Sequence, residues 1–265
     1  MARTFPGEAN SYWLSNANAG SDLAFNTDCQ VLGLVYYTGT GTPSYSNVVF
    51  AVGEAARGIG LSVHDISGAG NTTLKCWPIG NGERTPSPAT PIPLNVWTAV
   101  TVHISSGSTP VTFRTLRFDT GVISTGTSTS TPTIVAPLST DDVAIGNLMA
   151  PYTSIVYSFA GDIYSVAYCQ STLLSDDEFR AWAYTQQRPR GVVASWTLWG
   201  RGEEQDETGN GLALEVVGGT LPVADNPPVR PRFGWDEERH GAELITLPSV
   251  LTTRNVALGD ARRNI

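Results

Sequence analysis

Alternating apolar and polar positions are clearest in the run 97–105. Val100, Val102 and Ile104 are each separated by one polar residue. Because the side chains of a strand point to opposite faces in turn, this spacing places the three apolar residues on one buried face. The pattern predicts a strand that has one face in a core and points His103 outward.

Two other runs are apolar on both faces, which is typical of central strands. The run 30–37 is the most apolar in the chain. In the run 163–168, simple alternation places Ile163 on the opposite face from Val166 and Tyr168. Both runs are therefore expected to be covered on both sides by other parts of the protein.

Shorter segments rich in β-forming residues predict further strands at 10–14, 22–26, 48–52, 58–64 and 72–77. The run 111–118 changes phase between Phe113 and Leu116, which indicates a bulge or bend. The segments 192–199 and 212–217 are predicted to pair as a hairpin. Many short strands with polar turns indicate an all-β protein.

The sequence after residue 174 predicts a short helix. Ser175 can cap the amide of Glu178, and the Glu178 carboxylate can reach back to the Ser175 amide, which is a capping box. Phe179, Trp182 and Ala183 then follow at the spacing i, i+3 and i+4. The helix is therefore expected to lay one apolar face on a sheet.

A set of motifs follows in a fixed order through the second half of the chain. They are a tryptophan-led strand at 97–104, an Ile-Gly-Asn turn at 145–147, Phe-x-Gly-x-Ile at 159–163, Leu-Ser-Asp-x-Glu-Phe at 174–179, and closing segments at 193–198, 206–211 and 223–228. This order resembles laminin G-like domains of the concanavalin A-like lectin and glucanase class, in versions common in phage proteins. The resemblance implies a jelly roll of two antiparallel sheets with one short helix.

Composition agrees with one domain that is not a general binder of nucleic acid. A chain of 265 residues with 15% charged residues can form one large sandwich, expected over 1–226. The net charge of −8 leaves no Lys and Arg surplus for phosphate groups or anionic membranes. Cys29, Cys76 and Cys169 lack metal-ligand spacing and are expected to be buried thiols. No cofactor or metal is expected.

No segment approaches the roughly twenty apolar residues of a membrane span. The first residues, 1–8, also lack the apolar core of a signal peptide. We therefore expect a protein that is made in a host cytoplasm and that has no membrane partner.

The search for catalytic groups favours a protein that is not an enzyme. The resemblance implies, for laminarinase-like members, carboxylates that alternate along one strand. Glu204 and Asp206 are the nearest match, but Thr208 replaces the last carboxylate and the segment 200–211 is a Gly-flanked acidic loop. Whether that loop holds calcium stays open. The histidines are scattered and form no catalytic motif: His64, His103 and His240.

The segment 227–265 differs in composition from the rest of the chain. It opens with prolines, is rich in arginine and is poor in apolar periodicity, so it is expected to be an extended arm. Phe233 and Trp235, beside Arg230 and Arg232, are the expected anchors on a partner subunit.

Two functions agree with these observations. The first is a phage virion structural protein, either a head decoration or a tail accessory subunit, located in the virion and assembled with copies of itself or other subunits of the same particle. The alternative is a carbohydrate-binding module that uses Tyr45, Trp77 and loops such as the Pro- and Gly-rich connection 78–93 and the Ser- and Thr-rich segment 124–133. Trp97, Trp182 and Trp196 are expected in the core.

Overall fold

The computed structural model describes residues 2–7, 13–17, 19–23, 28–39, 46–54, 57–65, 72–78, 84–105, 110–128, 136–138, 140–147, 158–200, 203–218 and 220–229. All of them belong to the compact unit Met1–Arg230. The predicted arm beyond Val229 lies outside the described residues.

Strands dominate the described part of the chain. The first half contains β1 (Ala2–Pro6), β2 (Trp13–Asn16), a 3-10 turn (Gly20–Leu23), β3 (Asp28–Tyr37), β4 (Ser46–Glu54), β5 (Arg57–Asp65), β6 (Thr72–Pro78), β7 (Trp97–Ser105) and β8 (Thr112–Arg117). The second half contains β9 (Ile123–Thr127), β10 (Val143–Ile145), β11 (Ala160–Cys169), α1 (Asp176–Thr185), β12 (Val192–Thr197), β13 (Glu203–Glu204), β14 (Leu214–Val217) and β15 (Val223–Ala224).

The strands form two antiparallel sheets. The first sheet has the order β15-β1-β11-β3-β7-β8-β9, and β12 also pairs with β11. The second sheet has the order β13-β14-β2-β10-β4-β5-β6. The predicted class, a mostly β protein with two antiparallel sheets and one short helix, is confirmed.

The main core lies between the two sheets. Phe50 of the second sheet stacks on Tyr168 of the first, with ring centroids 5.9 Å apart, and also contacts Trp196 at 6.2 Å. All three side chains are buried. Full burial of one large apolar side chain stabilises a fold by about 1.5–3 kcal/mol, so this layer is a principal source of stability. The three cysteines are buried free thiols, as predicted.

The helix α1 covers the other face of the first sheet. Phe179, Trp182 and Ala183 are buried against a second cluster that includes Leu32 and Leu116. This arrangement confirms the predicted helix face. It also explains why the strands of the first sheet are apolar on both sides.

The predicted capping box is present at the start of α1. The Glu178 amide donates to Ser175 Oγ at 3.2 Å, and the Ser175 amide donates to Glu178 Oε2 at 2.7 Å. The Arg114 guanidinium, on the sheet below, donates to Asp176 Oδ1 at 2.8 Å and lies 5.3 Å from the Phe179 ring. The helix start is therefore tied both to its own backbone and to the sheet.

The simple alternation predicted for β11 was wrong, and so was the bulge or bend predicted for β8. The pairing of β11 with β3 shifts register between Ile163 and Ser165, and this irregularity places Ile163 on the same core face as Val166. By contrast, β8 pairs with β7 without a shift. Phe113 therefore faces the core and Leu116 faces the helix side, since β8 is covered on both faces.

His103 faces outward as predicted, yet it is buried, with 9% of its surface exposed. Its Nε2 lies 3.5 Å from Asp28 Oδ1. Burial lowers the pKa of His103, Asp28 opposes this shift and Arg114 adds to it. The face of the first sheet that points away from the main core is therefore also buried near the helix.

Long-range pairing overturned several local predictions. The predicted strand at 22–26 begins in a 3-10 turn, whereas the unpredicted β1 pairs with β11 and β15. The predicted hairpin does not form, because β12 belongs to the first sheet and β14 to the second. Part of the predicted loop 124–133 is β9, which pairs with β8. The strands predicted near 30–37, 48–52, 58–64 and 72–77 are all present.

Candidate functional site

The predicted binding residues are mostly outside the part of the chain that the structure describes. This applies to Tyr45 and to the residues of the predicted arm, Arg230, Arg232, Phe233 and Trp235. The backbone of Trp77 lies in β6, opposite Gly60 of β5, but its side chain is likewise outside the description. The structure places a different set of residues together.

A depression of about 700 Å³ lies on the first sheet. Two aromatic side chains, two carboxylates and one amide supply most of its chemistry. The lining residues are Tyr36, Trp97, Asp162, Val223, Ala224, Asp225 and Asn226.

The sheet register explains why the floor of this depression comes together. Thr4 of β1 pairs with Asp162 of β11, Asp162 pairs with Tyr36 of β3, and Tyr36 pairs with Trp97 of β7. Residues in register on neighbouring strands project to the same face at a spacing of about 4.8 Å. The four side chains therefore form a straight row across four strands, on the face that also carries Leu34 and the helix.

Tyr36 and Trp97 form an aromatic pair at one end of the row. Their ring centroids are 5.5 Å apart and their planes are inclined by 52°. Trp97 packs against the cluster under α1, yet it is only partly buried and lines the depression. The predicted core position of Trp97 is thus only half right, because β7 begins beside the open depression. Trp182 and Trp196 are in the core as predicted.

Asp162 is the half-buried carboxylate at the centre of the row. Its Oδ1 accepts a hydrogen bond of 2.6 Å from the Thr4 hydroxyl. Burial raises the pKa of Asp162, the hydrogen bond from Thr4 opposes that shift, and the charge on Asp225 adds to it. Asp225 and Asn226 are exposed at the edge of the depression. The site therefore carries negative charge and good hydrogen-bond acceptors.

The combination of groups is suited to a ligand that is apolar on its faces and polar at its edge. Aromatic side chains offer large flat surfaces, while carboxylate and amide groups bind hydroxyls. A few convergent polar groups beside aromatic walls are typical of small-molecule sites. The pyranose ring of a sugar has both kinds of surface.

The two carboxylates considered as catalytic candidates have structural partners. Glu204 is 1% exposed, and its Oε1 accepts a 2.7 Å hydrogen bond from Arg3 Nε. The same carboxylate accepts the amides of Trp199 and Gly200, each at 2.9 Å. This ion pair joins the strand β1 to the loop after β12.

Asp206 organises the rest of the acidic loop. Its carboxylate accepts the backbone amides of Ser195, Thr208 and Asn210. Its oxygens are thus committed to the backbone of the loop and of β12. Within the described ranges, no group of three or more His, Cys, Asp or Glu side chains is placed to hold a metal ion.

Sequence reasoning missed Tyr36 and Asp162 as site residues. Tyr36 was treated as part of the predicted strand 30–37 and Asp162 as an unspecified position of the motif 159–163, and the row depends on pairing between strands far apart in sequence. A usable signal was present, since Asp162 is a charged residue within an apolar central strand.

Comparisons with known proteins give a fold likeness. The sequence matches no protein-family model, and no curated protein sequence matches it. Among solved structures, a heptameric pentraxin from Limulus polyphemus is 11% identical, with a TM-score of 0.52, covering 81% of this chain and 93% of the pentraxin chain.

In two further structures, only a smaller part of the chain matches this protein. A tailspike protein of an Escherichia coli O157:H7 bacteriophage is 12% identical, with a TM-score of 0.49, covering 74% of this chain and 26% of the tailspike. The LG1-3 region of the laminin alpha2 chain is 11% identical, with a TM-score of 0.44, covering 63% of this chain and 30% of that region. The predicted concanavalin A-like sandwich is confirmed as the fold.

Membrane insertion through a helix has no support in the part of the chain that the structure describes. None of its helices is both long and apolar enough to cross a bilayer.

Proposed function

We propose that the protein is a non-catalytic binding module that takes up a neutral saccharide in the depression on the first sheet. The observation that carries this proposal is the row of Asp162, Tyr36 and Trp97 across three paired strands. Its aromatic end provides a stacking surface for a sugar ring, and its carboxylate accepts hydroxyl hydrogen bonds. A rigid sheet holds all three groups, which reduces the entropy lost on binding.

The charge of the site favours neutral sugars over acidic ones. Asp162 and Asp225 line the depression, and among the described residues that line it none is Lys or Arg. A sugar that carries a carboxylate or a sulfate would face like charge without a compensating cation. Neutral hexoses and N-acetylhexosamines are therefore the proposed ligand class.

The non-catalytic part of the proposal rests on how the carboxylates are used. Glu204 is held by Arg3 and two backbone amides, and Asp206 by loop amides. Glu204 and Asp206 are therefore not free to act as an acid and nucleophile pair on one bond. Asp162 accepts the Thr4 hydroxyl within the sheet.

A glycan array that carries neutral and sialylated glycans tests the proposal directly. We expect the full chain to bind neutral glycans, and Trp97→Ala to lower the affinity about tenfold or more in calorimetry. Asp225→Ala and Asn226→Ala, at exposed positions, should weaken binding without unfolding the protein. Leu138→Ala is the control, since Leu138 is exposed and does not line the depression.

Two results would overturn this function. One is that the full chain binds no neutral glycan, or binds it equally well without Trp97. The other is release of reducing ends from a bound glycan that stops in Asp162→Asn, which would make the site catalytic.

A structural role in a phage particle is the second candidate, and it is compatible with the first. It is favoured by the chain just before the arm: Val229 packs against the cluster under α1, so the arm would start from a fixed point on the sandwich. In this proposal the sandwich displays its site from a virion, and the arm binds copies of the chain or other subunits of the particle. The arm truncation in the Discussion tests it.

A further inference from the structure

Trp199 is an exposed aromatic residue with no role in the core. It follows β12 and keeps 45% of its surface exposed. Its ring lies edge-on to Tyr164, with centroids 6.4 Å apart and planes inclined by 69°. Exposed tryptophans on rigid supports are typical of binding surfaces.

The position of Trp199 is continuous with the depression. Tyr164 lies two residues after Asp162 on β11, and both face away from the main core. Gly200, next to Trp199, lies against Val223: a Cβ atom at Gly200 would be 2.2 Å from Val223 Cγ1. Val223 in turn lines the depression. Gly200 and Val223 therefore place Trp199 next to the β15 side of the depression.

The backbone that presents Trp199 is fixed by a buried ion pair. The amides of Trp199 and Gly200 both donate to the Glu204 carboxylate, which is bonded to Arg3. Gly200 has a φ of +79°, a conformation that favours glycine. These bonds hold the exposed ring in place before any ligand arrives, so little ordering would be needed on binding.

We propose that Trp199 and Val223, both exposed, form a second sugar subsite in which the buried Tyr164 supports the Trp199 ring, so that the protein binds a neutral oligosaccharide chain rather than a single sugar. This inference rests on the proposed function of the depression. Trp97 and Asp162 alone are two strands apart, about 10 Å. Val223 of β15 and Trp199 lie on the other side of Asp162 from Trp97. The whole surface is therefore longer than one sugar ring.

The test uses cello-, malto- and N-acetylchito-oligosaccharides of one to six units, titrated into the full chain by calorimetry. We expect the affinity of the wild type to rise with chain length in at least one series. Trp199→Ala should lower the affinity for the hexasaccharide about tenfold and change that for the disaccharide less than about twofold. Trp199→Phe should recover part of the loss, whereas Leu138→Ala should bind as the wild type.

The outcomes separate the two proposals. If the wild type binds short and long members and Trp199→Ala weakens neither, or weakens both equally, the second subsite is wrong and the depression stands. If the wild type binds no member of any series, the proposed function fails, and the extension fails with it. Melting temperatures of all variants show whether a loss of affinity comes from unfolding.

Discussion

At the scale of single residues, Asp162 is a group of the binding site that lowers the stability of the fold. A carboxylate near the start of the central strand β11 loses hydration, and the Thr4 hydroxyl replaces part of it. Asp225 adds repulsion. A charged group retained in such a place is a reason to expect a ligand, because the fold alone would be more stable without it.

This argument predicts a pH-dependent gain in stability for Asp162→Asn. The pKa of Asp162 is raised in the folded state, so ionisation as the pH rises destabilises the folded state relative to the unfolded state. The cost is absent below about pH 4, where the unfolded carboxyl is also protonated. Asn keeps an oxygen for the Thr4 hydroxyl, so the melting temperature should rise at pH 7, and the gain should vanish towards pH 4.

Asp225→Asn is the matched control for this measurement. It removes the same repulsion from an exposed position, so its gain at pH 7 should be smaller. An unchanged or lower melting temperature of Asp162→Asn at pH 7 would show that the carboxylate stabilises the fold.

Single residues were predicted well where their neighbours in sequence decide their environment. Ser175 and Glu178 needed only each other, and they form the predicted capping box. His103 and Glu204 depended on distant partners, namely Asp28 and Arg3, and both are more buried than the sequence suggested. Local alternation tells which face a side chain is on, but not what covers that face.

At the scale of elements, α1 decides which parts of the first sheet are closed and which are open. It buries Leu32, Leu34 and Leu116 of the strands below it. Tyr36, two residues beyond Leu34 on β3, is only partly buried and lines the depression. A displaced helix would therefore alter the binding surface as well as the stability.

We predict graded losses of stability for substitutions in α1. Ser175→Ala and Glu178→Ala should each lower the free energy of unfolding by about 0.5–2 kcal/mol, because each removes half of the capping box. Trp182→Ala should cost about 3–5 kcal/mol, since the buried ring leaves a cavity against the sheet. Urea denaturation at constant pH measures all three.

An exposed position of the same helix gives the control. Asp177→Ala, next to the cap, should cost less than either cap substitution, because it loses only a favourable interaction with the helix dipole. Equal and negligible effects for Ser175→Ala, Glu178→Ala and Trp182→Ala would contradict the packing of α1 described above.

The elements whose sheets were misassigned share one cause. The segments of β12 and β14 are close in sequence and apolar, so a hairpin was the simplest expectation, yet β12 pairs with β11 of the first sheet and β14 lies between β13 and β2 in the second. Strand identity follows from periodicity, whereas strand pairing follows from loop closure and from which faces need burial. The candidate site depends on that pairing, and for this reason it was missed.

At the scale of the whole molecule, the order of motifs was enough to predict the sandwich. The resemblance to laminin G-like domains rested on segments in order over residues 90–228, and the fold that it implied is confirmed. Function did not follow from that likeness, because sandwiches of this class carry unrelated sites.

The position of the predicted arm boundary can be refined from the structure. Pro227 is buried and Val229 packs against the cluster under α1, so the sandwich extends at least to Val229.

The last prediction separates the sandwich from the arm. Deleting residues 231–265 should leave the melting temperature of the sandwich unchanged, as measured by calorimetry. The same deletion should abolish self-assembly, as measured by light scattering after size exclusion, or attachment to a particle. Phe233→Ala combined with Trp235→Ala should reproduce most of the loss of assembly, since aromatic anchors usually dominate such contacts. Deleting 228–265 instead also removes Val229, so its melting temperature should fall, as truncation of packed apolar residues does. If the protein without residues 231–265 unfolds, the arm is part of the sandwich. If that protein still assembles with full affinity, the arm takes no part in assembly.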